Sequence, residues 1–281
     1  MKKVFLTGAS GQLGREIIEI LKEKYIVIAP KREEFDLEKF EKINNYLKDI
    51  NPDIIILSGA YTDVDKAEEE KEKVYRINFL SVKEFVKYTK EKDKNLIFIS
   101  TDYVFDGKKE IYKEEDNPNP LNFYGKTKFL AEREIISNLK KYFIVRTSWL
   151  YGEGKKNFVY KFIQKCKEEK ILKVVNDRYG SPTYTKDLAQ GIEKLINSSN
   201  YGIYHIVNTG RVSRYDFAME IVKILNLDVE IVPVSSDYFK EKAIRPFSSA
   251  LDNKKFSSLF YELRDWKEAL KDFLKNRWKF L

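Results

Sequence analysis

In the stretch NFYGKTKFLAE, residues 122–132, a tyrosine and a lysine stand four apart at the start of a segment with helical periodicity. That interval is a little over one helical turn, so the Tyr124 phenol and the Lys128 ammonium leave from the same face. The pairing suits proton transfer to a carbonyl. A free phenol holds its proton too tightly for ready exchange at neutral pH. An ammonium roughly 4 Å away favours the phenolate by up to about 4 kcal/mol at an effective dielectric of about 20, and burial opposes it. The net expectation is a Tyr124 pKa below its ordinary value. The same spacing also arises on any lysine-rich helix surface, so the surrounding elements have to decide.

The segment LIFISTDYVFDG, residues 96–107, runs from an apolar strand into a loop and leaves Ser100, Thr101, Asp102 and Tyr103 at its end. A hydroxyl, a phenol and an ammonium thus come from consecutive elements. Near the N-terminus, TGASGQLG (7–14) lies between the strand KKVFL and the helical stretch REIIEILKEK, with Gly8, Gly11 and Gly14 in a G-x-x-G-x-x-G series. A dinucleotide's pyrophosphate needs bare backbone at a helix N-terminus, where unpaired N–H groups and the helix dipole stabilise the anion. Strand, glycine turn and helix in that order point to a dinucleotide site.

The second strand ends YIVIAPKREEFD, with Lys31 and Arg32 where an NAD-selective protein would carry an acid for the ribose hydroxyls. The two cations could hold a 2′-phosphate, so NADPH is favoured, while Glu33 and Glu34 blunt the preference and leave NADH open. Asp36 and Leu37 are placed to flank the adenine. Hydride from the nicotinamide, a proton from Tyr124 and a hydrogen bond from Thr101 would together reduce a ketone, and Lys128 would also orient the nicotinamide ribose.

Other chemistries find few residues. The chain has one cysteine, Cys166, and one histidine, His205. A Cys–His nucleophile pair, a multi-histidine zinc site and an internal disulfide are therefore excluded. Cys166 precedes KEEK on an amphipathic stretch and reads as a packing residue; His205, in GIYHIVN, reads as a half-buried strand histidine. A lone thiol fits a reducing, cytoplasmic setting. The net charge is +8, but cations alternate with acids, as in EKEKVYR, so solvated helix faces are expected and no nucleic-acid patch. The excess favours an anionic small molecule. No apolar run reaches membrane-spanning length, and the apolar part of MKKVFLTGAS is too short for a signal.

The elements that must position these residues alternate. VFL (4–6), IVIA (26–29), IIIL (54–57), LIFIS (96–100) and FIVRTS (143–148) are apolar strands, separated by REIIEILKEK, LEKFEKINNYLKD, VYRINFLSVKEFVKYTKEK and KTKFLAEREIISNLKK. This predicts an α/β protein, a Rossmann-like doubly wound parallel sheet with ligands beyond the strands' C-terminal ends. Past residue 150 the pattern loosens into a helix at NFVYKFIQKCKEEK, a strand and turn at LKVVNDRYGSPTYT, then GIYHIVN, YDFAMEIVKILN, VEIVPV and WKEALKDFLKNRW. The expected division is a dinucleotide-binding domain over 1–149, with part of 171–200, and a smaller interleaved substrate-binding region over 150–281.

The ordered motifs TGASGQLG, AYTDVDKAE, ISTDYVFDG, YGKTKFLAE, RTSWLYG and GSPTYTKDLA resemble the extended short-chain dehydrogenase/reductases, and in particular the dTDP-4-dehydrorhamnose reductases. GIYHIVNTGRVSRYDFA and Arg245-Pro246 with SSALD carry the likeness almost to the C-terminus. The resemblance implies reduction of dTDP-4-dehydro-β-L-rhamnose to dTDP-β-L-rhamnose with NADPH or NADH. It implies Thr101, Tyr124 and Lys128 as the catalytic triad, and Gly11, Gln12, Leu13, Asp36, Leu37, Gly59, Ala60, Tyr61 and Thr62 along the cofactor. Thr62, Val64, Asp102, Tyr103 and Trp149 would face the sugar, and Arg245 the diphosphate.

The resemblance admits a homodimer and, through relatives that bind it, magnesium, although no carboxylate cluster marks a metal site. Ser58-Gly59 stands where the family often has Asn-Ala, a departure that bears on one cofactor-side hydrogen bond. Ala131 replaces a frequent glycine, and Arg178-Tyr179 replace other residues in a stretch that bears on substrate choice. Two alternatives stay open: a non-catalytic NADP-binding regulatory subunit like the β-subunit of methionine adenosyltransferase, and a reductase or epimerase of another nucleotide sugar.

Overall fold

A computed structural model describes residues 1–278; residues 279–281 lie outside that description. Six strands form one sheet in the order Gly202–His205, Tyr142–Thr147, Asn95–Thr101, Ile54–Leu57, Lys3–Thr7, Ile26–Ile28, and every neighbouring pair is parallel. The order reverses between the Lys3–Thr7 and Ile54–Leu57 strands, so a crevice opens at their C-terminal ends.

The unbroken apolar runs make sense once both faces are covered. On one face Val4, Leu6, Ile54, Ile56, Ile97, Ile99, Phe143 and Val145 pack under the helices Gln12–Leu21 and Thr185–Ile196. On the other, Phe5, Ile55, Leu57, Leu96, Phe98 and Ile144 pack under Ile43–Ile50, Ser81–Glu91 and Phe123–Asn138. Alternation along each strand therefore feeds two cores, with roughly 1.5–3 kcal/mol gained per fully buried large apolar side chain.

A third core lies beyond the sheet's C-terminal edge, where helices Phe158–Glu168, Arg214–Leu225 and Trp266–Asn276 enclose a parallel pair, Ile171–Val175 and Glu230–Val234. Cys166 packs against this core. The chain returns from it twice: the Thr185–Ile196 helix lies along Gln12–Leu21, and Gly202–His205 becomes the edge strand.

The expected long helix from Val74 onward is interrupted. Helix Lys71–Tyr75 widens into a π segment, Arg76–Leu80, before Ser81–Glu91 resumes. The widened turn carries Asn78 into the interior, where its amide accepts from the Tyr61 N–H at 2.8 Å and donates to the Tyr61 carbonyl at 3.1 Å and to Thr127 Oγ1 at 3.3 Å. A π turn at such a point is common beside functional sites.

Candidate active site

The glycine turn is shaped by close approach. Gly8 has φ +75°, and a Cβ there would lie 2.7 Å from the Gly59 nitrogen. Gly59 in turn donates its N–H to Thr7 Oγ1 at 3.0 Å, so the Ser58-Gly59 departure serves backbone contact between the first and third strands. A Cβ at Gly14 would meet the Gly8 carbonyl at 2.2 Å; this glycine lets the helix close onto the turn and does not itself line the cleft. Helix Gln12–Leu21 starts from Gly11, which has no capping side chain. Its first N–H groups are left for an anion.

Over this turn lies a cleft of about 970 Å³. Gly8, Gly11, Gln12, Leu13, Arg32, Asp36, Leu37, Gly59, Ala60, Tyr61 and Thr62 line one end, and Val64, Thr101, Asp102, Tyr103, Tyr124, Lys128 and Trp149 the other. A dinucleotide fits the first end on the bare turn and the uncapped helix. Lys31 does not line the cleft: its N–H turns to Glu34 Oε2 at 3.0 Å, leaving Arg32 as the basic residue of that pair at the rim. Arg32 sits 3.9 Å from an Asp36 carboxylate oxygen.

Thr101 ends the Asn95–Thr101 strand. Its hydroxyl donates to Asp102 Oδ1 at 3.0 Å and accepts the Tyr103 N–H at 3.2 Å, starting the short turn Asp102–Val104. Helix Phe123–Asn138 begins when Asn122 Oδ1 accepts the Gly125 N–H at 2.8 Å. Gly125 is required there, because a Cβ would lie 2.2 Å from the Tyr103 carbonyl. The helix start is thereby pressed against the loop that carries Thr101, and the Thr101 hydroxyl reaches the Tyr124 phenol. Behind them, Glu132 of the same helix pairs with Arg146 at 2.7 Å and accepts from Ser100 Oγ, all three buried.

Electrostatically the site departs from the expectation for Tyr124. Burial pushes the phenol well above its ordinary value, with the nearby Thr101 hydroxyl opposing and Asp102 and Tyr103 adding to the rise. Burial also lowers Lys128 to about 7, with Glu132 pulling the other way. The expected lowering of Tyr124 fails because the lysine amine is held elsewhere. It donates to the Ile99 carbonyl at 2.7 Å and lies 3.8 Å from the centre of the Phe98 ring. Tyr124 is thus a fully protonated phenol. Asp102 is raised to about 6 by burial, partly offset by Ser249 and Thr101, and its Oδ2 has no hydrogen-bond partner.

Trp149 takes a left-handed φ of +44°, and its indole fills the space that a Cβ on Gly180 would need. Arg245 lies outside the cleft lining. Its guanidinium takes Asp65 at 2.7 and 3.2 Å and Glu241 at 2.9 Å, so two carboxylates already neutralise it. His205 is buried completely, deeper than the expected half, and desolvation with the charge of Arg146 lowers it to about 3, so it is neutral. Among the described residues no group of three or more His, Cys, Asp or Glu side chains could hold a metal ion, and magnesium is not assigned. Among them, too, no helix is long and apolar enough to cross a membrane.

The structure also brings in residues that sequence reasoning passed over. Arg214, Phe158 and Asn157 line the cleft from the C-terminal part. Asn157 Nδ2 donates to the carbonyls of Gly152 and Gly154 at 2.9 and 2.8 Å and to Gln12 Oε1 at 3.2 Å, tying that part to the glycine turn. Asn157 precedes the apolar run FVYKFI as a capping residue would, and it does cap that helix. Its second role joins positions 145 residues apart, which local pattern cannot reveal.

A family model described as the RmlD substrate binding domain matches residues 1–278. The chain belongs to this family. Within it, the chain is 38% identical to the spore coat polysaccharide biosynthesis protein SpsK of Bacillus subtilis, over 99% of this chain and 98% of that one. It superposes with a TM-score of 0.94 on a dTDP-4-dehydrorhamnose reductase structure from Clostridium acetobutylicum, at 40% identity and covering 97% of this chain and 98% of that one. The dTDP-4-dehydrorhamnose reductase of Bacillus anthracis, solved in complex with NADP, gives a TM-score of 0.93 at 39% identity, with 97% and 98% coverage.

Proposed function

We propose that this member of the RmlD substrate binding domain family is an NAD(P)H-dependent oxidoreductase that reduces the 4-keto group of dTDP-4-dehydro-β-L-rhamnose to give dTDP-β-L-rhamnose. The observation that carries the reading is the meeting of Thr101, Tyr124 and Lys128 in one cleft with an uncapped glycine turn at its other end. The relative crystallised with NADP and the shared family name support the same cofactor and substrate. Residues 1–149 would carry the dinucleotide and the later residues most of the sugar nucleotide.

A bound nicotinamide dinucleotide supplies hydride to the carbonyl carbon. The chain's own part is binding, orientation and the proton. Gly11, Gln12 and Leu13 would hold the pyrophosphate on backbone N–H groups, with Arg32 at the adenosine end. Thr101 would turn its hydroxyl from Asp102 to donate to the carbonyl oxygen and hold it beside Tyr124. Tyr124, kept protonated by its burial, would release its proton to that oxygen as negative charge builds there. Lys128, fixed by the Ile99 carbonyl, would steady the nicotinamide ribose.

The test is nicotinamide absorbance. The purified protein should oxidise NADPH or NADH when given dTDP-4-dehydrorhamnose, and Tyr124→Phe should lower kcat by about 10²–10⁴-fold, the usual worth of a positioned general acid. Turnover of a different keto-sugar in place of this one would reject the substrate. Unimpaired turnover by Tyr124→Phe would reject the proton donor.

A further inference from the structure

We infer that Arg214 is the residue that grips the diphosphate of the sugar nucleotide, an inference that rests on the functional reading above. Arg214 opens helix Arg214–Leu225, directly after the capping residue Ser213. A cation there faces the positive end of the helix dipole, where acids are the stabilising choice. The position is also costly in solvation, because the side chain lies in the wall of the cleft, with its guanidinium carbon 3.4 Å from the Trp149 ring centre and 4.6 Å from that of Phe158. Among the described residues it forms no salt bridge, and no side chain accepts a hydrogen bond from it.

A guanidinium resting against two aromatic rings keeps N–H groups for another partner, and a fork of planar donors matches phosphate oxygens. Position decides which phosphate. Arg214 is on the substrate side, facing Asp102 and Tyr103. The dinucleotide's own pyrophosphate belongs to the glycine turn at the other end. The remaining anion on a nucleotide sugar is its diphosphate. The residue first expected to meet it, Arg245, is held by Asp65 and Glu241 outside the cleft.

The experiment is titration calorimetry of dTDP into the full chain loaded with NADPH, beside the turnover assay. Arg214→Gln should weaken dTDP binding by about 10- to 100-fold, the worth of a charge-assisted hydrogen bond, and raise KM for the sugar nucleotide while leaving NADPH affinity unchanged. Arg214→Lys, which keeps the charge without the planar fork, should fall between. Inorganic pyrophosphate should compete with dTDP in the wild type and not in Arg214→Gln. Wild-type dTDP affinity in both variants would overturn the proposal, and so would parallel loss of NADPH and dTDP binding in both, which marks a structural role. If the wild type binds dTDP through Arg214 yet reduces no dTDP-keto-sugar, the reductase reading fails and this assignment stands.

Discussion

At the scale of single residues, the chemistry is set by how burial acts on groups of opposite charge type. Desolvation disfavours whichever form is charged, so it raises Tyr124 and lowers Lys128. In the proposed reaction the phenol would therefore wait as a proton donor, which suits reduction. The lysine, lowered from 10.5 to about 7, leaves a mark on stability. Between those values the unfolded chain binds a proton that the folded chain does not. This group's contribution to stability therefore rises with pH through that window, and its penalty is complete below about pH 7. Lys128→Met should abolish turnover yet stabilise the fold by about 1–2 kcal/mol near pH 6, an advantage that shrinks towards about pH 10. Thermal unfolding of both proteins across that range checks it. A difference that does not change with pH would sink the argument.

At the scale of elements, the proposed catalytic groups meet because two segments approach more closely than a side chain allows. The pressure point is Gly125 against the Tyr103 carbonyl. Gly125→Ala puts a methyl group where backbone stands, and neither side can yield without moving Tyr124 from Thr101. The expected loss is about 1–3 kcal/mol of stability from overpacking, with kcat down on the order of 10²-fold for a displacement near 1 Å. Near-wild-type kcat in a folded Gly125→Ala protein would contradict this. Much of this level was legible beforehand. Five strands of the sheet, the glycine turn and the succession of Thr101, Tyr124 and Lys128 follow from apolar runs and helical spacing, which are local; that Gly202–His205 returns as the sixth, edge strand does not. The π turn at Arg76–Leu80 was not legible, because it is imposed by what Asn78 reaches, the Tyr61 backbone, and not by its own neighbours in sequence. Arg245 was misplaced for the same reason: Asp65, which claims it, lies 180 residues away. Arg214 gave one local sign, a cation in a first helical turn, and its aromatic partners arrive from elsewhere in the chain.

At the scale of the whole molecule, the sheet, its covering helix and the returning C-terminal segments share one buried charge network. Glu132 and Arg146 are at most 2% exposed, Ser100 joins Glu132, and Arg146 lies 5.0 Å from the Phe105 ring centre. The Arg146 charge also reaches His205 on the edge strand. Removing one partner leaves the other charged and buried. Glu132→Ala should therefore cost about 3–5 kcal/mol. Activity and tryptophan fluorescence, followed in denaturant, should be lost together at a lower midpoint; an unchanged midpoint would rule the network out as a global support. Trp149 draws on the same long-range assembly, with its left-handed backbone, the bare face of Gly180 beneath its indole and Arg214 above. Such a backbone costs of order 1–3 kcal/mol, and only the folded surroundings sustain it. The aromatic wall is thereby preorganised: the rotamer freedom that a loose tryptophan would surrender to each arriving ligand is already gone when the chain has folded, so affinity at this wall depends on the ligand's fit and little on the protein's rearrangement.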